Sequence, residues 1–293
     1  MLFNTIILYL QEEVPQAFVI AVAIIKYFLI LCLVALVVYK VFNFFEMAYV
    51  EYINKRLFFN HKYIKKRQLS NAQKLILKQH INFYNALSLR HKSAFEHRVF
   101  QIIKSTEFIG KEIVVTEKMK TIIAGTLVKL TFGFRDYKID TVERIIFYPE
   151  EFYSTTNKTY HKGEFNLGYR ALVFSWKHVL HGYKISNDNL NLAVHEFIHA
   201  IHFYYMSKRK VSTSSAIFID SFQELTQELD NDEQLKQKLV ASRYLREYAY
   251  TNQFEFLAVI IETFIETPKE FKAQFPKLYG KVKTMLSFNF AGY

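Results

Sequence analysis

Residues 191–202 read NLAVHEFIHAIH, and within them His195, Glu196 and His199 form the pattern His-Glu-x-x-His. On a helix, residues four apart lie one turn apart on one face, so the imidazoles of His195 and His199 can reach a single metal ion. Glu196 then stands beside the open coordination position. There a carboxylate can take a proton from a zinc-acidified water and later deliver it to a leaving amine. The rest of the stretch is apolar, including Leu192, Val194, Phe197, Ile198 and Ile201, as in a buried helix. Two histidines and a glutamate in such a helix need partners that offset their desolvation. A chance match is expected in about one or two per cent of chains of this size and histidine content, so a third ligand has to be sought elsewhere.

The second informative stretch is residues 244–266, YLREYAYTNQFEFLAVIIETFIE. If Thr251 or Asn252 starts a helix, Glu255 and Glu262 lie two turns apart on one face while Phe256, Leu257, Val259, Ile260 and Phe264 are buried. A glutamate pair on a buried side needs a reason, and a third zinc ligand is one. A His-His-Glu set leaves one position free for water, as catalytic zinc requires. Spacing alone does not choose between the two glutamates.

The elements that must position these residues are mostly helical. With only 8 Gly and 4 Pro in 293 residues and long periodic runs, the chain reads as a mainly helical protein. Residues 42–108 suggest two or three packed helices with Ser70 as an N-cap, and residues 116–130 another helix. The period changes at residues 142–148, VERIIFY before Pro149, and at 170–176, RALVFSW, which read as two strands joined by a polar loop. A small sheet beside the zinc helix suits a peptidase cleft, because an exposed edge strand can pair with an extended peptide. Residues 208–216 read as a polar loop, and 224–238 as a surface helix or mobile segment.

Residues 17–39 are apolar apart from Lys26, long enough to cross a bilayer as a helix. Glu12 and Glu13 precede the run, whereas Lys40, Lys55, Arg56, Lys62, Lys65, Lys66 and Arg67 follow it, so the positive-inside rule puts the C-terminal bulk in the cytoplasm and the amino terminus outside. The lone cysteine, Cys32, falls inside this run. It excludes an internal disulfide and a cysteine-zinc site, leaving His and carboxylates as ligands. The net charge of +11 raises the question of nucleic acid, but the basic residues are scattered or flank the apolar run, which favours an anionic membrane surface.

The sequence resembles the zinc-dependent peptidases typified by Mlc titration factor A. The resemblance covers residues 69–286 and rests on HEFIH, the preceding GYRALVFSWKHVLHG and IIFYPEEF, and the following YTNQFEFLAVIIETFIETP and FPKLY. It implies that His195, His199 and Glu255 bind zinc, that Glu196 is the catalytic base, and that Tyr248 assists. A phenol hydroxyl aimed at the substrate carbonyl would stabilise a developing oxyanion. Glu262 matches a glutamate of the family and would orient a ligand histidine. Two features depart from the family pattern: after the motif the chain reads Ala200-Ile201-His202-Phe203, where the family often has a leucine-aspartate pair, and the soluble prototype has no membrane segment.

The expected fold is α+β, mainly helical: a zincin-like metallopeptidase domain with a small β-sheet beside the His-Glu-x-x-His helix, preceded by a transmembrane helix. Its parts are an N-terminal segment (1–16), the membrane helix (17–39), a basic helical linker (40–68) and the metallopeptidase domain (69–293). The expected function is hydrolysis of peptide bonds, aminopeptidase cleavage included, by a single-pass protein of the cell membrane whose domain faces the cytoplasm. It would carry one Zn2+ per chain. Expected partners are a peptide or protein substrate, the lipid bilayer through residues 17–39, and a transcriptional regulator, with no direct nucleic-acid contact. The competing expectation is a regulatory binding protein that sequesters a repressor or another cytoplasmic partner with little turnover.

Overall fold

The computed structural model describes residues 15–185 and 187–293. The expected N-terminal segment, residues 1–16, lies outside these except for Pro15 and Gln16. The chain divides into two units, Met1–Ala48 and Tyr49–Tyr293. Helix α1, Gln16–Tyr52, fills the described part of the first and ends in the second. It is long and apolar enough to cross a membrane. Its large side chains, Phe18 and Ile24 through Phe44 and Phe45, are exposed among the described residues, as a bilayer-facing surface would be.

The linker expected to be helical over residues 40–68 is helical only as far as Tyr52; residues 53–70 carry no regular secondary structure. That stretch is nevertheless fixed, because Leu57 and Leu69 are buried and the fully enclosed Arg98 donates to the Asn60 carbonyl at 3.1 Å and the Tyr63 hydroxyl at 2.5 Å. The same guanidinium donates to the carbonyls of Thr131 at 3.0 Å and Phe134 at 2.6 Å. A buried charge spread over several carbonyls is satisfied without a carboxylate, and it takes the linker's carbonyl away from any helix.

Ser70 and Gln73 then form a reciprocal capping box, Gln73 N donating to Ser70 Oγ and Ser70 N to Gln73 Oε1. From this cap the chain runs α2 (Asn71–His80), α3 (Asn82–Ala86) and α4 (Leu89–Ser105), a short strand β1 (Glu107–Gly110) and α5 (Glu117–Leu130), capped by Thr116. Strand β1 is an addition to what the sequence suggested. Its four residues continue directly from a helix and offer too few positions for a period of two to show.

Strands β2 (Arg144–Tyr148) and β6 (Ala171–Ser175) stand where the two strands were expected. Between them the polar loop contains three more short strands, β3 (Phe152–Ser154), β4 (Thr159–His161) and β5 (Gly163–Asn166). The main sheet has the order β1-β2-β6-β5, with β1, β2 and β6 parallel and β5 antiparallel to β6, while β3 and β4 form a separate hairpin. Central β6 is buried at Ala171, Leu172 and Phe174, which explains its nearly continuous apolar run. Strand β5 forms the edge of the sheet and packs on the His-Glu-x-x-His helix.

Helix α6 (Trp176–Lys184) leads to α7 (Leu192–Lys208), which carries the motif, and then to α8 (Thr213–Asn231) and α9 (Glu233–Ala241). The polar loop expected over residues 208–216 is therefore shorter, and Thr213, Ser214 and Ser215 are buried in the first turn of α8. Ser212 is its cap, accepting from Ser215 N, so the hydroxyls that suggested a loop mark a helix start. Residues 224–238 are helical, broken where Asp232 caps α9. A 3-10 turn (Glu247–Tyr250) precedes α10 (Gln253–Glu266), followed by α11 (Pro268–Gln274) and α12 (Pro276–Met285), each with proline at its first position. Helix α7 packs against α5, α6, α8, α10 and strands β5 and β6. An apolar surface on every side suits that position.

Candidate metal centre

The local signals that set the site are two asparagine caps. Asn191 starts α7, its side chain accepting from Val194 N at 3.2 Å, which puts His195 and His199 on the second and third turns. Asn252 starts α10, accepting from Phe254 N at 2.9 Å and Glu255 N at 3.0 Å, so Glu255 sits in the first turn with its backbone held. Helix α10 packs on α7 in the opposite sense, with Glu262 beside Asn191 and Phe254 against His202 and Phe203, which carries Glu255 to the two histidines.

Three side chains converge there. His195 Nε2 lies 3.1 Å from His199 Nε2 and 2.9 Å from Glu255 Oε2, and His199 Nε2 lies 3.6 Å from Glu255 Oε1. Among the described residues this is the group whose ligand atoms all lie within 4.8 Å of one another, as a metal ion would require. The donor set itself tests the fit. Glu262 holds its Oε1 2.5 Å from Nδ1 of His195, and a carboxylate can only accept, so Nδ1 carries a proton and Nε2 is the nitrogen that would meet a metal, which would displace the proton facing Glu255. Two imidazole nitrogens and a carboxylate oxygen pointing at one spot match an N2O site for a divalent metal such as zinc.

Electrostatics agree. Burial works against a charged His195, but the carboxylates of Glu255 and Glu262 outweigh it and push the imidazole up to about 10. Burial alone would raise Glu255; hydrogen bonds from His195 and His199 instead hold its carboxyl well below the usual range. Without a metal, the pocket thus collects positive charge in the form of a proton. Glu262 is 1% exposed and has a complete set of partners: His195, the Arg246 guanidinium at 2.8 and 2.9 Å, and the backbone N–H of Asn191 at 3.2 Å. Spacing left Glu255 and Glu262 as alternatives. Depth separates them, since Glu262 is buried behind His195 and Glu255 reaches the convergence point.

Glu196 lies next to the cluster on α7, 8% exposed, with burial raising its pKa and the two histidines opposing that rise. Strand β5 runs directly over it: a Cβ built on Gly163 would stand 2.8 Å from Glu196 Cγ and 2.7 Å from Leu192 Cδ1. Only glycine allows the strand this close. Tyr248 is half exposed on the 3-10 turn, its ring 5.9 Å from that of His195. Burial and Glu255 raise its pKa, so the phenol keeps its proton. These groups line one side of a cleft of about 650 Å³.

Arg246, Asn191 and Gly163 were not singled out from the sequence. Asn191 had a readable signal, a capping residue directly before an apolar run. Arg246 and Gly163 had none, because their importance comes from what α10 and α7 bring against them.

The chain is 23% identical over 254 residues to an uncharacterized protein of Synechocystis sp., covering 80% of this chain and 90% of that protein. The sequence profile of the glucose-regulated metallo-peptidases M90 matches residues 56–286, a span that includes every residue of the cluster. That match spans most of the sequence, and the chain belongs to the glucose-regulated metallo-peptidase M90 family.

Proposed function

We propose that this protein is a membrane-anchored zinc peptidase whose domain works at the cytoplasmic face. The observation that carries the reading is the convergence of His195, His199 and Glu255 beside Glu196, with His195 and Glu196 lining a cleft edged by β5. His195, His199 and Glu255 would hold the zinc, which when bound supplies Lewis acidity to a water and to the scissile carbonyl. Glu196 takes the proton of the attacking water and returns it to the leaving nitrogen; its raised pKa strengthens it as the base in the first transfer. The Tyr248 hydroxyl donates to the carbonyl oxygen as charge develops there. Strand β5, as an edge, offers main-chain groups to an extended peptide. Glu262 and Arg246 keep His195 oriented without touching substrate.

Anchoring is supported by α1 with its exposed apolar surface, and the cytoplasmic side by the lysines and arginines that follow it. A reporter fused at the C-terminus that is active only in the periplasm or outside the cell should stay silent.

The test of the activity is Glu196→Gln in the full chain, purified in detergent, against a mixed peptide pool analysed by mass spectrometry. The parent should cleave, and the variant should lose about 10²–10⁴-fold in rate while keeping about one zinc per chain. Equal cleavage by both would remove Glu196 from the mechanism. A parent that binds zinc and cleaves nothing would favour a binding protein that sequesters a cytoplasmic regulator.

A further inference from the structure

From Tyr52 to Phe95 the chain carries ten Lys and Arg and no Asp or Glu. Two of these cations are neutralised from outside the stretch, Lys55 by Glu224 at 2.5 Å and Lys74 by Glu96 at 3.0 Å. Arg56, Lys62, Lys65, Lys66 and Arg67 are exposed, and among the described residues none of them has a carboxylate within ion-pair distance. Glu51, the acid just before the stretch, faces Arg209 instead, at 3.9 Å. Helix α4 adds to the same region. Burial lowers the pKa of His91 and His97, and Lys66 lowers both further, together with Arg90 at the first ring and Arg98 at the second. Positive charge from the linker and from α4 therefore accumulates in one place.

The same stretch exposes apolar side chains. Tyr52, Ile53, Phe58 and Ile64 are each more than half exposed, and the Lys62 ammonium lies 4.9 Å from the centre of the Phe59 ring. A signal for membrane orientation needs cations only and gives no reason to leave isoleucine and phenylalanine in water. Apolar side chains interleaved with ammonium and guanidinium groups suit the headgroup layer, where rings and stems reach the acyl boundary and the charges meet lipid phosphates. A nucleic acid would engage the charges and leave Ile53 and Ile64 without a role. The stretch is also fixed to the domain. Leu57 and Leu69 are buried, Arg98 donates to the Asn60 carbonyl and the Tyr63 hydroxyl, and Arg67 N donates to His97 Nδ1 at 2.9 Å. Its exposed groups cannot swing as a tether would; where they bind, the domain follows. Chain length brings them within reach, since Phe45, the last exposed phenylalanine of α1, precedes Tyr52 by about 10 Å of helix, comparable with the Debye length of about 8 Å at physiological salt.

We propose that residues 53–67 form a rigid docking surface that lays this domain on the anionic leaflet from which α1 emerges. Ile53, Phe58 and Ile64 enter the headgroup layer, and Arg56, Lys62, Lys65, Lys66 and Arg67 meet the phosphates of anionic lipids. The docking surface presupposes α1 as a membrane anchor and does not depend on the peptidase reading.

The experiment uses the full chain in lipid nanodiscs, with Cys32→Ser removing the lone cysteine and Ile64→Cys carrying an environment-sensitive fluorophore. Discs of phosphatidylcholine alone are compared with discs containing phosphatidylglycerol, each with and without lipids that bear a quencher near the headgroup. With phosphatidylglycerol the fluorophore should be shielded from water and quenched; with phosphatidylcholine alone it should stay in water. At a salt concentration where docking is incomplete, the docked-to-undocked ratio should fall about fivefold for each of Lys62→Gln, Lys65→Gln and Lys66→Gln, and fall again as salt is added. Lys62→Arg, Lys65→Arg and Lys66→Arg should keep the ratio, which separates lost docking from a damaged fold. A fluorophore left in water in both kinds of disc would overturn the docking surface, and co-elution of the chain with the discs would show that the anchor stands without it. Equal quenching in both kinds would overturn the recognition of anionic lipid. Shielding by an added DNA duplex, with none by phosphatidylglycerol, would give the surface to nucleic acid and overturn the proposal. A chain that fails to enter discs would sink the anchor and the docking surface together.

Discussion

Glu262 Oε1 sits 2.5 Å from Nδ1 of His195, and the same carboxylate is clamped by Arg246 Nη2. This fixes which nitrogen of His195 faces the metal position. Glu262→Gln keeps the shape, removes the charge, and leaves the half-buried Arg246 against a neutral amide. Zinc affinity, measured by competition with a chromophoric chelator, should fall about 10–100-fold. An unchanged affinity would mean that Glu262 serves only the packing of α10.

Tyr248 stands beside the cluster on a turn whose preceding residue is Arg246, so the Arg246–Glu262 pair also holds the phenol in place. Tyr248→Phe removes the hydroxyl and keeps the ring. The expected result is a 10²–10³-fold loss in kcat, with zinc content and KM close to the parent. A rise in KM at constant kcat would instead make Tyr248 a substrate-binding group.

Gly163 is the closest approach of the sheet to the base. Gly163→Ala puts a methyl where Glu196 Cγ and Leu192 Cδ1 now lie, so either the strand lifts or Glu196 turns away. Leu192 can give way at its tip, but the Glu196 stem cannot move without its carboxylate. The variant should lose about tenfold or more in kcat with one zinc per chain retained, because a misplacement of about 1 Å costs a proton transfer heavily. Metal content is the control that excludes collapse of the cluster.

Much of this was readable from residue order. Helix α5 and strand β2 follow from apolar patterning, β6 from a short continuous apolar run, and α7 from the His-Glu-x-x-His spacing inside an apolar stretch. Strands β1, β3, β4 and β5 have three or four residues each, below the length at which alternation is visible, and β5 draws its meaning from the sheet edge it forms. His195 and His199 were legible as a convergent pair because they lie one turn apart on one helix. Glu255 and Glu262 were legible as a pair, but burial behind His195 is a tertiary fact and spacing does not carry it. The stretch after Tyr52 misled because its apolar and basic residues look like a helix face, while Arg98, 38 residues from Asn60, sets its path.

A last prediction concerns Glu266, at the end of α10. Burial pushes its carboxyl up to about 7, and burial also pulls nearby Lys129 down to about 8. One carboxylate oxygen of Glu266 is enclosed without a hydrogen-bond partner. The folded pKa of Glu266 lies above the unfolded value, so between about pH 4.3 and 7 the folded state binds more protons than the unfolded one, and stability falls as pH rises through that window. For Lys129 the folded value lies below the unfolded one, so its contribution runs the other way, with stability rising between about pH 8 and 10.4. At pH 7.5 Glu266 is mostly ionised and carries most of its cost, while Lys129 is still mostly charged. Glu266→Gln should therefore stabilise the protein at pH 7.5, by on the order of 1–2 kcal/mol, and have little effect at pH 5. Urea midpoints of parent and variant at the two pH values check this. A variant destabilised equally at both would mean that the Glu266 carboxyl acts as a hydrogen-bond donor the amide cannot replace, and that its ionisation is not linked to folding.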